Sequence, residues 1–245
     1  MSWALLFHNT DIVSKKLTIV AATFNEIQPL QEYLQREAVR HSSTHFQLGD
    51  IEIDILISGV GLLHATYSLM EYLTDHKPDA WIQIGIGGAF DTSLEMEQVY
   101  LIESETLVDF GAQDKDGSII NQFQLGWMTP DEYPYSDEKL QCPYLPMQTV
   151  IPVASGMTTV HSHGFVENIE KISEGLHGQI ENMEGAGFFY VSLMKQIPFW
   201  SFRSISNYVE SRNKDRWKID TAIKNLNEKI IWVLNDKLLI EQLFV

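Results

Sequence analysis

A single cysteine, Cys142, stands among the 245 residues, which excludes an intrachain disulfide and a cysteine-built zinc site. Positive charge is also scarce: 17 Lys and Arg against 33 Asp and Glu leave a net charge of −16. A chain of that sign has no electrostatic hold on a nucleic-acid backbone or an anionic membrane. No apolar run approaches the roughly 20 residues of a membrane helix. Residues 3–7 are too short for an export core and no basic segment precedes them, so a cytoplasmic location is expected. The eight histidines form no His-Glu-x-x-His pattern; His161-Ser162-His163, the one tight pair, reads as loop, and no metal is expected. Ser58-Gly59-Val60-Gly61 follows a strand-like run, but position 64 is a histidine, so the dinucleotide fingerprint is incomplete. No cofactor is expected.

What is present points to one large α/β unit. Hydrophobic residues make up 44% of the chain, ample for a core, with no repeat or linker to divide it. Residues 1–245 are therefore expected to form a single domain, with 1–16 an N-terminal extension and 106–148 a loop-rich insertion. Residues 17–22 read as a buried first strand, followed by a helix to about Arg40, with Asn25 as N-cap and Glu26 in the first turn. Residues 51–57 alternate before turning wholly apolar, a strand expected to enter the sheet from an edge. A helix over 62–76 follows. Residues 81–84 form another buried strand, which runs into Gly85-Ile86-Gly87-Gly88, a segment fit for a tight turn or for close approach to a ligand. Residues 99–102 read as strand, as do 149–154, after which 155–159 turn toward a helix. The last helix is expected from about Trp217, with Ile223, Leu226, Ile230 and Val233 on its apolar stripe.

Two stretches carry the chemistry. In Glu181-Asn182-Met183-Glu184-Gly185-Ala186-Gly187 a strand ends, a carboxylate follows and small residues open a helix. Residues 199–205 favour a strand and end in Ser206 and Asn207. Ligands of open α/β sheets sit at the carboxyl ends of strands, so two neighbouring strands would bring Glu184 and Asn207 to one pocket.

Asn182-Met183-Glu184-Gly185-Ala186 followed by Arg203-Ser204-Ile205-Ser206-Asn207 resembles the nucleoside phosphorylase/nucleosidase family, and within it the futalosine-hydrolysing branch. The resemblance implies a three-layer αβα sandwich around a mixed, mostly parallel central sheet. It also implies cleavage of a nucleoside's N-glycosidic bond and a homo-oligomer with a small-molecule nucleoside as its partner. By that resemblance Glu184 binds the ribose hydroxyls, Met183 packs on the sugar, and Glu26 activates water. Gly87 and Gly88 belong to the nucleoside pocket, with Ser206, Arg203 and Thr158 among the substrate-binding residues. Asn207 falls where relatives acting on adenine nucleosides carry an aspartate. An amide offers an acceptor and a donor together, which suits N7–H and O6 of hypoxanthine. The first-strand segment Ala21-Ala22-Thr23-Phe24-Asn25-Glu26 lacks the glycines and cations that a phosphate site needs, which favours a hydrolase over a phosphorylase. Arg212 and Arg216 are each either a contact for a substrate carboxylate or a solvated surface charge.

Overall fold

A computed structural model describes residues 14–108, 110–115, 117–174 and 178–244. In chain order the elements are β1 (Lys15–Ala21), α1 (Phe24–Glu37), β2 (Val39–Arg40), β3 (His45–Leu48), β4 (Ile51–Ile57), α2 (Leu62–Asp75), β5 (Ala80–Ala89) and β6 (Val99–Leu107). Then come β7 (Gly111–Gln113), β8 (Ile119–Asn121), β9 (Tyr135–Ser136), β10 (Lys139–Gln141), β11 (Val153–Thr158), α3 (Val166–Glu174) and β12 (Ile180–Asn182). The chain closes with α4 (Gly185–Lys195), β13 (Phe199–Tyr208), α5 (Ile219–Asn235) and α6 (Lys237–Ile240).

Eleven strands build one mixed sheet, and β7 with β8 form a separate hairpin. The long pairings β1–β4, β1–β5, β5–β13 and β6–β11 are parallel, whereas β5–β12 and β6–β13 are antiparallel. Chain flow runs from β1 outward to β4 through α1, then back past β1 to β5 through α2. Right-handed crossovers taken in opposite directions place those two helices on opposite faces, which makes the three layers. On one face α1 packs against α5, and on the other α2 packs against α4. The α/β class with a mixed central sheet is thus as expected. One feature was not: β5, β12, β11, β6 and β13 pair in sequence and return to β5, closing a ring of strands.

Aromatic packing holds the site's scaffold. Phe188 and Phe189 of α4 meet Trp81 of β5 and Phe199 of β13, with ring centroids 4.8 to 5.6 Å apart, and all four side chains are fully buried. Each such ring contributes roughly 1.5–3 kcal/mol by leaving water. That packing fixes the head of α4, where Glu184 stands.

Several local expectations change. Thr23, not Asn25, is the N-cap of α1, and Pro29 lies in the second turn. The strand over 51–57 lies inside the sheet, flanked by β1 and β3. Gly85-Ile86-Gly87-Gly88 is strand and not loop, and Ser155-Gly156-Met157-Thr158 is the body of β11 rather than a turn into a helix. Lys15 and Lys16, assigned to the extension, belong to β1; residues 1–13 lie outside the described residues. The 106–148 segment opens with the last two residues of β6 and carries short hairpins, one of which joins the main sheet through β10.

Candidate active site

A cleft of 750 Å³ opens where β1, β5 and β13 end. Its wall includes Glu26 from α1, Ile86, Gly87 and Gly88 from β5, Met183 and Glu184 beyond β12, and Ser206 and Asn207 from β13. Glu184 and Asn207 do share one cavity, but from strands that are not neighbours, since β5 runs between β12 and β13.

Glu26 is held from two sides. The Thr23 N–H and hydroxyl donate to its Oε2 at 3.0 and 2.8 Å, and the Ile86 N–H donates to Oε1 at 3.2 Å. Burial nonetheless pushes its carboxyl pKa up, opposed by the Thr23 bond and by Arg203. The result is a carboxylate more basic than usual, facing the cleft from a fixed position.

Glu184 receives the N–H of Gly61 on Oε1 at 3.0 Å and lies 3.6 Å from Arg203 Nη1 through Oε2. Gly61 has φ of 92°, a conformation open to glycine, so the Ser58–Gly61 turn serves Glu184 rather than a dinucleotide. Arg203 is buried and does not line the cleft. A Cβ on Gly85 would stand 2.1 Å from its Nη1 and 3.2 Å from Glu26 Oε1. Glycine is required at that point of β5 because guanidinium and carboxylate both press against its backbone.

Behind Glu184 lies a network absent from the expected site. Asn182 Oδ1 accepts the N–H groups of Glu184 at 3.1 Å and Gly185 at 2.6 Å, capping the head of α4. Its Nδ2 donates to Glu105 Oε1 at 2.8 Å, and the Thr158 hydroxyl donates to Glu105 Oε2 at 2.9 Å. Thr158 Oγ1 also accepts the Ala186 N–H at 2.7 Å. Thr158 is fully buried and outside the cleft wall. Thr158, grouped with the substrate-binding residues, and Arg203, grouped with them and also read as support for its loop, both lie behind the cleft wall and brace the residues that line it.

Asn207 is oriented by its own strand. Its Nδ2 donates to the Tyr208 carbonyl at 3.0 Å and its Oδ1 accepts the Ser206 hydroxyl at 2.9 Å. Flipping the amide would set two carbonyl oxygens against each other, so the orientation is fixed. One N–H and one lone pair remain for a ligand. Gly88 allows this approach: a Cβ there would lie 3.1 Å from Asn207 Nδ2.

The lining carboxylates Glu26, Glu32, Glu181, Glu184 and Asp220 far outweigh Arg212, the one cation among the described lining residues. Arg212 stacks on Trp217, 5.1 Å from the ring centroid, whereas Arg216 is outside the wall and paired with Glu210 at 2.8 Å. Glu181 also accepts the His163 N–H at 3.1 Å and meets that ring's Nδ1, which gives the histidine motif a structural place in the wall. Among the described residues no cluster could hold a metal ion.

The Phosphorylase superfamily matches residues 16–231. A 5'-methylthioadenosine/S-adenosylhomocysteine nucleosidase of Desulfotalea psychrophila is 26% identical over 230 residues, 86% of this chain and 93% of that protein. Futalosine hydrolase of Streptomyces coelicolor is 26% identical over 190 residues, 72% and 76% of the two chains. A 32% match to a 5'-methylthioadenosine/S-adenosylhomocysteine nucleosidase of Chromohalobacter salexigens spans 95 residues, 37% of this chain and 40% of that protein. Among solved structures, an S-adenosylhomocysteine nucleosidase of Streptococcus pyogenes superposes with a TM-score of 0.73 at 18% identity, covering 91% of this chain and 98% of the other. Futalosine hydrolase of Helicobacter pylori gives 0.70 at 15%, with 91% and 97% covered. At such identities the structures speak to the fold alone. The match over residues 16–231, on the fold and cleft just described, makes this chain a member of the phosphorylase superfamily.

Proposed function

We propose that this chain is an N-ribosyl hydrolase that cleaves futalosine to hypoxanthine and dehypoxanthine futalosine. The reaction adds one water across the glycosidic bond: hydroxyl to the anomeric carbon, proton to the departing base. Glu26 takes the proton from that water, a role suited to a carboxylate whose basicity burial has raised. Glu184, held on one oxygen by Gly61 and beside Arg203 on the other, grips the ribose hydroxyls, and its charge lies under the oxocarbenium-like sugar. Met183 covers the sugar face. The free N–H of Asn207 donates to O6 and its carbonyl accepts from N7–H, a pattern that a 6-oxopurine matches and adenine reverses.

The carrying observation is the charge of the cleft. Five lining carboxylates against Arg212 would repel a phosphate dianion, whereas water needs only a base. The relatives named for methylthioadenosine and S-adenosylhomocysteine favour a second reading, a nucleosidase for those 6-aminopurine nucleosides or for 6-amino-6-deoxyfutalosine.

Base release from futalosine, aminodeoxyfutalosine, inosine and methylthioadenosine in phosphate-free buffer decides among these. Hypoxanthine from futalosine is the expected product. Adenine from the amino substrates would transfer the assignment to the second reading, and turnover only on adding phosphate would make the enzyme a phosphorylase.

A further inference from the structure

Glu105 is the most enclosed charged side chain near the cleft, with no solvent exposure, and no step above uses it. Gly156 of β11 and Gly185 of α4 make room for it; a Cβ on either would fall within 2.2 Å of Oε1. Two glycines cleared for one carboxyl group, on two different elements, mark a built position.

The charged groups acting on Glu105 are Arg203 of β13 and Glu184 at the head of α4. Arg203 also acts on Glu26, so one guanidinium serves three carboxyl groups in a region of low dielectric. The hydroxyl of Thr158 can turn two ways: toward Glu105 Oε2 at 2.9 Å or toward Asn182 Oδ1 at 3.3 Å. Asn182 Oδ1 is also the acceptor for Arg203 Nη2 at 3.4 Å.

We propose that Glu105 is a positioning residue whose ionised form draws the Thr158 hydroxyl to itself, leaves Asn182 Oδ1 to the N–H groups of Glu184 and Gly185 and to the longer contact with Arg203, and thereby holds Arg203 and Glu184 together. When Glu105 takes a proton, its O–H donates to Thr158 Oγ1. The Thr158 hydroxyl then turns to Asn182 and competes with the guanidinium. Proton, hydroxyl and amide form one relay from the core to the ribose-binding carboxylate. Burial pushes the Glu105 carboxyl up to about 7, so the relay changes state in the neutral range.

The kinetic arm of this inference rests on the hydrolase reading; the spectroscopic arm does not. Infrared difference spectra of the wild-type protein should show a buried carboxylic-acid band that titrates near neutral pH and vanishes in Glu105→Gln. In the same variant, which mimics the protonated form, kcat/KM should fall roughly tenfold at alkaline pH, chiefly through KM. That is short of the ~100-fold a 1 Å misplacement can cost, and the inflection near neutrality should disappear. A bracing role alone would lower activity and leave the inflection where it was. Persistence in the variant of the same band or the same inflection, once any contribution that disappears in Glu26→Gln is set aside, overturns the proposal. Should the variant not fold, absence of a titrating band in the wild type overturns it equally. A band that behaves as expected in a protein that releases no base from any nucleoside would retire the hydrolase reading and keep Glu105 in its place.

Discussion

The two ends of the cleft are built in opposite ways. At the proposed ribose end Glu184 is supported by Gly61 from the turn before α2, Arg203 from β13, Asn182 from β12 and, one layer deeper, Thr158 and Glu105 from β11 and β6. At the proposed base end the Asn207 side chain bonds to its immediate neighbours, Ser206 and Tyr208. The carboxylate that must hold charge in low dielectric is anchored by elements distant in sequence. The amide proposed to read the base is set by one strand. On the proposed roles, chemistry is distributed over the fold and specificity is local, so the first should be fragile to substitution and the second adjustable.

The largest effect is expected where no other residue can substitute. Glu26→Gln should keep nucleoside affinity and lower kcat about 1,000-fold, the middle of the range for a general base; pre-steady-state turnover beside equilibrium binding measures both, and unchanged kcat would remove Glu26 from the mechanism. Gly85→Ala comes next, since its new methyl group would occupy the space of Arg203 Nη1. A loss of about 100-fold in kcat/KM and 1–3 kcal/mol in stability is expected, and a fully active variant would show that the guanidinium can be displaced without consequence.

Glu105 gives a pH-dependent stability. Its folded pKa of about 7 exceeds the ordinary 4.5, so the folded state binds the proton more tightly. That contribution is present below the unfolded value and is lost as pH rises toward 7, by about 3 kcal/mol. Denaturant titrations should show this decline in wild type and not in Glu105→Gln; parallel curves would contradict it. At the base end, Asn207→Asp should move the ratio of 6-amino to 6-oxopurine turnover about 10- to 100-fold while leaving the fold intact. An equal change for both bases would break the contrast between the two ends. Arg216→Ala, outside the cleft and tied to exposed Glu210, should alter kcat/KM less than about twofold.

The sequence discloses the residues that line the cleft better than the frame behind them, for the same reason. Ser206 and Asn207 act through neighbours on one strand, and Met183-Glu184 through the helix that follows, so a short motif contains them. Glu105 sits in a strand whose alternation offers nothing to set it apart. Its significance comes from Gly156, Gly185, Thr158 and Asn182, which are distant in the chain. Arg203 was visible as a residue but not as a buried one, because its partner Gly85 is 118 positions away in an apparent glycine loop. Three glycines in four residues read as a tight turn or a ligand approach; Gly87 and Gly88 do line the cleft, and each of the three also clears space for a side chain from another segment. The element order and main helices were legible from apolar periodicity. The antiparallel return of β12 along β5 was not, since pairing partners so far apart leave no local signature.

The ring of strands gives the site a mechanical property. A sheet with open edges can fray inward from either side, but a closed hoop must break two seams before any of its strands comes free. Glu105, Thr158, Asn182, Arg203 and Asn207 all sit on strands of that hoop. Glu26 and Gly61 lie outside it, at the head of α1 and in the turn before α2. In amide hydrogen exchange the hoop strands should be the slowest of the molecule and those two outer segments faster. The proposed general base would then ride on the portion that can yield to admit a nucleoside, and the charge-bearing frame would stay still while it does.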